Sequence, residues 1–215
     1  MNSFVITICG NKQSEAAASR CMLSSKRFGV ESFNFWATVP ENDPKKQLDE
    51  LGIPVANFYE KYSRPENCMS AFLSHYRLWE ICHKTGKPMI IFEHDAVVVD
   101  DLPVNAKFDK VMNIGKPSYG RFNIPTYLSV GPLVSKPYFP GAHAYMINPD
   151  GAKAVMDKAK ECGGPTDIFL SLKNFPWLQE FNPWPVECRD SFTTIQNETG
   201  CLAKHNYAKE TYEII

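Results

Sequence analysis

Three observations predict an α/β fold with a mainly parallel sheet flanked by helices. Short β-branched apolar runs alternate with stretches of helical spacing along the first hundred residues. One run, Pro88-Met89-Ile90-Ile91-Phe92, is apolar without interruption, which suits a central strand covered on both faces. The 215 residues are 44% hydrophobic and 22% charged, enough apolar material for one sizeable core, so a single domain over 1–215 is expected.

The elements follow in order. Phe4 to Cys9 reads as a strand ended by Gly10, and Gln13 to Phe28, rich in Ala, Ser and Leu, as a helix stopped by Gly29. Ser32 to Thr38 is a second strand, Pro44 to Leu51 a short helix and Ile53 to Val55 a third, brief strand. The clearest helix is Pro65 to Lys84: Met69, Phe72, Leu73, Tyr76, Trp79 and His83 recur at helical spacing, and Ser63 with Glu66 has the spacing of a capping box. From Val111 to Pro149 six prolines and four glycines predict loop with short strands. Asp150 is positioned to cap a helix through Cys162, with Ala152, Val155, Met156 and Ala159 inward and Gly163-Gly164 after it, and a second short helix follows from Thr166 or Asp167. The tail after Trp177 shows no periodicity.

Composition excludes some functions. Lys and Arg number 23 against 24 Asp and Glu, a net charge of −1, so the chain as a whole is no polybasic nucleic-acid or membrane binder. No run approaches the roughly 18 apolar residues of a membrane span, and Met1 to Gly10 lacks the features of a leader, so a soluble, cytoplasmic protein is expected. The seven cysteines are widely spaced and include no CxxC pair, which favours reduced thiols. There is no P-loop, GxGxxG, GxSxG or HExxH motif.

The informative segment is Phe92-Glu93-His94-Asp95, at the carboxyl end of the buried strand. In extended backbone Glu93 and Asp95 point to one side and His94 to the other, so two carboxylates converge on one ligand. Ligands of α/β sheets bind at the carboxyl ends of strands, and hard divalent cations that bridge phosphates prefer carboxylate oxygens. The pair therefore suits Mg²⁺ or Mn²⁺ on a diphosphate. The competing reading has it capping a loop or pairing with lysines.

Here the sequence resembles a family. Cys68-Met69-Ser70-Ala71-Phe72-Leu73-Ser74-His75-Tyr76-Arg77-Leu78-Trp79 is similar to the GCxxSHxxxW helix of glycosyltransferase family 25, the lipooligosaccharide and collagen galactosyltransferases, and Phe92-Glu93-His94-Asp95 to its (L/F)EDD metal motif. Gly141 to Lys153 resembles its GxxAYxISxxGAK block, and Pro165-Thr166-Asp167 the PxD after it; order and rough spacing agree from Phe4 to Ile195. Two departures stand out: His94 replaces the middle acid, and Cys68-Met69-Ser70 replaces a glycine-bearing start.

The resemblance implies a GT-A-like, Rossmann-type glycosyltransferase that uses a nucleotide sugar, in the first instance a UDP-sugar, with Mn²⁺ or Mg²⁺ and inversion at the sugar carbon. It implies a nucleotide-sugar half of about 1–100 and an acceptor-side half of about 101–215. Asp95 becomes the primary metal ligand, and Glu93 a ligand through water or a contact to the ribose. His205 is the candidate third ligand, against a solvated surface histidine, and Asp167 the candidate catalytic base, against an ordinary helix N-cap. Ser74 and His75 are candidate contacts to the bound donor and His143 a candidate for the donor or the acceptor pocket, with a hydrogen-bonded structural role as the alternative for both histidines.

The acceptor is read from Val111 to Pro149. This span has no acidic residue, while Lys116, Arg121, Lys136 and His143 are interleaved with Tyr119, Phe122, Tyr127, Tyr138, Phe139 and Tyr145. Such a surface favours an anionic or stacking partner. A glycan of the lipopolysaccharide type fits, as in lipopolysaccharide biosynthesis. So does a hydroxymethylated base in DNA, a modification made by some phage enzymes. A catalytically inactive module that only holds a glycan or nucleotide is the alternative from a different class.

Overall fold

The computed structural model describes residues 1–59, 63–189 and 194–195. The chain runs β1 (Asn2–Thr7), α1 (Lys12–Arg27), β2 (Phe33–Trp36), α2 (Pro44–Glu50), α3 (Pro65–Thr85), β3 (Met89–Glu93), β4 (Ala96–Val98), β5 (Val111–Asn113), β6 (Ser129–Pro132), β7 (Ala144–Ile147), α4 (Pro149–Cys162), α5 (Thr166–Phe169), β8 (Gln179–Asn182) and β9 (Val186–Cys188). Seven strands form one sheet in the order β2-β1-β3-β7-β5-β8-β6, and β4 pairs with β9 in a separate ribbon. β1 pairs in parallel with both β2 and β3, and β5 with β8; β7 and β6 run against their neighbours. The fold is α/β with a mainly parallel sheet, as the sequence predicts.

Residue parity sorts the two faces. Met89 and Ile91 of β3 join Tyr145 and Ile147 of β7 in the core under α3 and α4, whereas Ile90, Phe92, Ala144 and Met146 point to the core under α1. β3 is thus buried on both faces. Met69, Phe72, Leu73, Tyr76 and Trp79 of α3 are buried, each large side chain contributing roughly 1.5–3 kcal/mol. His83, expected on that stripe, is exposed.

Five local expectations need correction. Ile53 to Val55 is no strand: Ile53 is buried, but it sits between Gly52 in the left-handed region and Pro54, which has no N–H for a ladder. The α3 cap is Arg64, without a side-chain cap bond, and the α4 cap is Asn148, whose side chain accepts from Gly151 N. In both helices a proline occupies the first turn and sets the cap at the residue before it, displacing the expected Ser63 box and Asp150. The patternless tail contains β8 and β9, which are too short to show a period. Finally, the backbone after Glu93 turns at His94-Asp95 instead of staying extended, because the chain leaves the main sheet to enter β4, where Arg189 N donates to the Asp95 carbonyl.

Candidate functional site

A cleft of about 380 Å³ opens at the carboxyl ends of β1, β2 and β3. β1 leads through α1 to β2 on one side, and α3 returns to β3 on the other, so the cleft lies where connections diverge, the usual ligand position in an open α/β sheet. Its walls include Asn11 before α1, Thr38 after β2, Arg64, Asn67, Ser70, Ser74 and His75 of the α3 side, and Glu93 and His94 after β3.

Glu93 shares the odd parity of Met89 and Ile91, so it faces α3. Its Oε1 accepts from His75 Nε2 at 3.1 Å, and His75 Nδ1 lies 2.9 Å from the Tyr145 hydroxyl, which accepts from Trp79 Nε1 at 2.8 Å. The direction of this chain follows from chemistry. Indole N–H only donates, so the Tyr145 oxygen accepts from it and passes its own proton toward His75 Nδ1. His75 therefore carries its proton on Nε2 and gives it to Glu93. Burial lowers the His75 pKa to about 3, so the contact is a hydrogen bond from a neutral imidazole, not an ion pair. Burial first, then the Asp95 charge, and with them the Asp167 charge, push Glu93 from 4.5 up to about 8, with His94 acting in the opposite direction.

Asp95 does not line the cleft. Its Oδ2 accepts from Cys188 Sγ at 3.0 Å, while its Oδ1 is buried with no hydrogen-bond partner among the described residues. The expected common direction of Glu93 and Asp95 is replaced by an arrangement in which His94 shares the cleft wall with Glu93. His94 Nδ1 lies 3.1 Å from Ser14 Oγ, which also accepts from Ile8 N at 2.9 Å, so the residue in place of the middle acid ties the turn to the start of α1.

The other sequence candidates divide. Ser74 lines the cleft, but its hydroxyl donates to Ser70 O at 2.8 Å and accepts from Thr38 N at 2.9 Å, joining α3 to the chain after β2. Ser70, one turn earlier, was not singled out; its Oγ is buried on the cleft wall with no partner among the described residues. His75 is in mid-helix with both ring nitrogens engaged. His143 is buried outside the cleft, its imidazole against the Cα of Gly115, where an added Cβ would meet Nε2 at 2.5 Å. Asp167, at the start of α5, accepts from the Tyr119 hydroxyl at 2.7 Å and from Ile168 N at 2.9 Å, and burial raises its pKa. It lies off the cleft wall yet close enough for its charge to raise both Glu93 and His75. His205 lies outside the described residues.

A divalent cation is chemically suited to the oxygen set here: an orphaned Asp95 oxygen and a Glu93 carboxyl destabilised as an anion by burial and by its acidic neighbours. Among the described residues no three His, Cys, Asp or Glu side chains gather as a complete cage, so coordination would be completed by ligand and water oxygens. No disulfide joins the described cysteines, and no described helix is long and apolar enough to cross a membrane.

No family model matches the chain. No curated protein matches it in sequence either. Among solved structures it is similar to Drosophila β-1,4-galactosyltransferase 7, a mutant in complex with manganese, UDP-Gal and xylobiose, at 10% identity and a TM-score of 0.42, over 93% of this chain and 72% of that one.

The residues that sequence reasoning missed are Tyr145 and Trp79 as parts of a hydrogen-bonded chain, Tyr119 as the partner of Asp167, and Ser70, Asn67, Asn11 and Thr38 on the cleft wall. The last two carried a readable signal, being polar residues just beyond strand carboxyl ends.

Proposed function

We propose that this protein is a glycosyltransferase of GT-A type, related to family 25, which moves a sugar from a UDP-sugar to a glycan hydroxyl with inversion. One observation carries the reading: the Glu93 carboxyl at the mouth of the sheet is bonded to His75 and through it to Tyr145, and Asp167 lies close enough for its charge to act on the same carboxyl. These four residues stand in the four blocks on which the family resemblance rests.

In this reading the cleft holds the nucleotide, with Arg64, Asn67 and Ser70 facing its polar groups. Glu93, oriented by His75, would hold Mn²⁺ or Mg²⁺ at the cleft wall, and Asp95 would join it through Oδ1 by turning from its buried position off the cleft, with His205 as a further candidate ligand. The bound cation supplies neutralisation of the diphosphate charge that builds as the donor bond breaks. Asp167 accepts the proton of the acceptor hydroxyl while that oxygen bonds to the sugar carbon and the diphosphate leaves. Its raised pKa makes it a better base than an exposed carboxylate, and Tyr119 fixes its direction. Ser74 and His75 shape the wall, and His143 supports the loop from outside the cleft.

The test is calorimetric titration of UDP into wild type and Asp95→Asn, with Mn²⁺ or with chelator, followed by a UDP-sugar turnover assay. Metal-dependent binding that falls at least tenfold in Asp95→Asn, about 1.4 kcal/mol, is expected. Metal-independent binding identical in both proteins overturns the metal assignment; no binding and no turnover overturn the transferase reading.

A further inference from the structure

Beyond the donor cleft, two shallow grooves meet at Pro137 and Tyr138. One, of about 930 Å³, is lined by Arg121, Phe122, Lys136 and Tyr138; the other, of about 450 Å³, reaches Lys173 and the start of α5. Both volumes fall within the roughly 300–1,000 Å³ of small-molecule sites. No Asp or Glu is among the described residues lining either groove. Arg121 and Lys173 are exposed and make no ion pair among the described residues.

This surface is built. The Lys136 ammonium donates to the Tyr119 carbonyl at 2.7 Å and lies 4.9 Å from the Tyr119 ring centroid and 5.3 Å from that of Tyr138. Tyr119 in turn gives its hydroxyl proton to Asp167. Beneath the loop the fully buried Glu180 carboxylate accepts from Val134 N at 2.7 Å, Ser135 N at 2.8 Å and Trp184 Nε1 at 3.1 Å, and Trp184 meets the Phe122 ring edge-on at 5.7 Å. One buried acid thus holds in place the segment that presents Lys136 and the ring that closes the other end of the groove. Not all of the span is available: Phe139 and Tyr145 belong to the core, and the Tyr127 hydroxyl donates to Pro132 O at 2.6 Å.

We propose that the grooves on either side of Tyr138 form an acceptor subsite for an anionic saccharide, its carboxylate or phosphate on Arg121 and Lys136 and a sugar face on the Tyr138 ring. The proposal rests on the transferase reading, because Lys136 on the groove wall is bonded to Tyr119, and Tyr119 to Asp167, the base assigned to the acceptor hydroxyl. A saccharide suits the surface better than a polynucleotide. The groove offers a few cations on a protein of net charge −1, whereas polynucleotide affinity grows with the number of phosphates neutralised.

The experiment is titration, without nucleotide sugar, of a galacturonate trisaccharide, a phosphorylated trisaccharide, the neutral galactose trisaccharide and a 12-nucleotide single-stranded DNA. Wild type, Arg121→Gln, Lys136→Gln and Tyr138→Ala are compared, with UDP binding measured on each preparation. At least tenfold preference for an acidic over the neutral trisaccharide is expected, reduced roughly five- to tenfold by either charge removal, with UDP binding unchanged. The two acidic sugars distinguish a carboxylate site from a phosphate site. Arg121 is exposed, so its variant tests the site even if Lys136→Gln disturbs the loop. Equal affinity for acidic and neutral sugars, or no change in the variants, overturns the proposal while leaving the donor reading standing. Tighter binding of DNA through the same residues also overturns it and assigns the groove to a polynucleotide. Loss of UDP binding in wild type instead removes the donor reading.

Discussion

Replacing Tyr145 by Phe tests the buried hydrogen-bond chain that orients Glu93. The substitution keeps the ring, which stacks on His75 at 5.7 Å and packs against Phe139 at 6.2 Å, and removes only the hydroxyl. That oxygen serves two fully or nearly fully buried partners, Trp79 Nε1 at 2.8 Å and His75 Nδ1 at 2.9 Å. Each is left without a partner in a space closed to solvent, and an orphaned buried polar group costs about 1–3 kcal/mol. The expected destabilisation is therefore about 2–6 kcal/mol, with Tm lowered by roughly 4–24 °C for a chain of this size. Urea unfolding should show a lower midpoint at unchanged slope. A double-mutant cycle with Trp79→Phe should depart from additivity by about 1 kcal/mol or more, because either change alone strands the other group. The ¹⁵N shifts of His75 give a second readout: the Nε2–H tautomer dominates in wild type and loses that dominance in Tyr145→Phe. A destabilisation below about 1 kcal/mol with the tautomer unchanged refutes the chain as drawn.

Two further outcomes follow from the same geometry. In chelator, the Glu93 carboxyl keeps its proton in the fold to about pH 8, while its ordinary value is 4.5; the native state binds the extra proton between these limits, so stability falls as pH rises through them. The fall is on the order of 5 kcal/mol, is read by urea unfolding across that pH range, and should flatten in Glu93→Gln. Gly151→Ala in the first turn of α4 should destabilise by about 1–3 kcal/mol in the same assay, although alanine is ordinarily the better helix former, because the new Cβ would run into the Lys110 carbonyl; a gain in stability would refute that contact.

The relation of His94 to its neighbours shows where reading a sequence stops. Alternation along Phe92-Glu93-His94-Asp95 is correct as long as the backbone stays extended, and the strand ends at Glu93 because β4 pairs with β9 and not with the main sheet. That decision rests on Val186 to Cys188, ninety residues away, and no local pattern announces it. Ser74 and Ser70 make the same point on one helix. Both are small polar residues on the α3 face toward the cleft; Ser74 donates to Ser70 O within the helix and accepts from the distant Thr38 N, whereas the Ser70 hydroxyl has no partner among the described residues.

By itself the sequence determined the alternating elements, the two-sided burial of Met89 to Phe92, the packing stripe of α3, and the position of a polar site where that strand ends. These follow from side-chain period and from backbone chemistry within a few residues, which the chain carries locally. The tertiary structure alone decided that Trp79, Tyr145, His75 and Glu93 form one directed chain of hydrogen bonds, that Asp95 keeps a buried oxygen without a partner among the described residues, and that Tyr119 holds Asp167. Each of these depends on atoms brought within about 3 Å from distant parts of the chain, and such contacts are set by the register of the sheet and the seating of α3 upon it, not by any neighbouring residue.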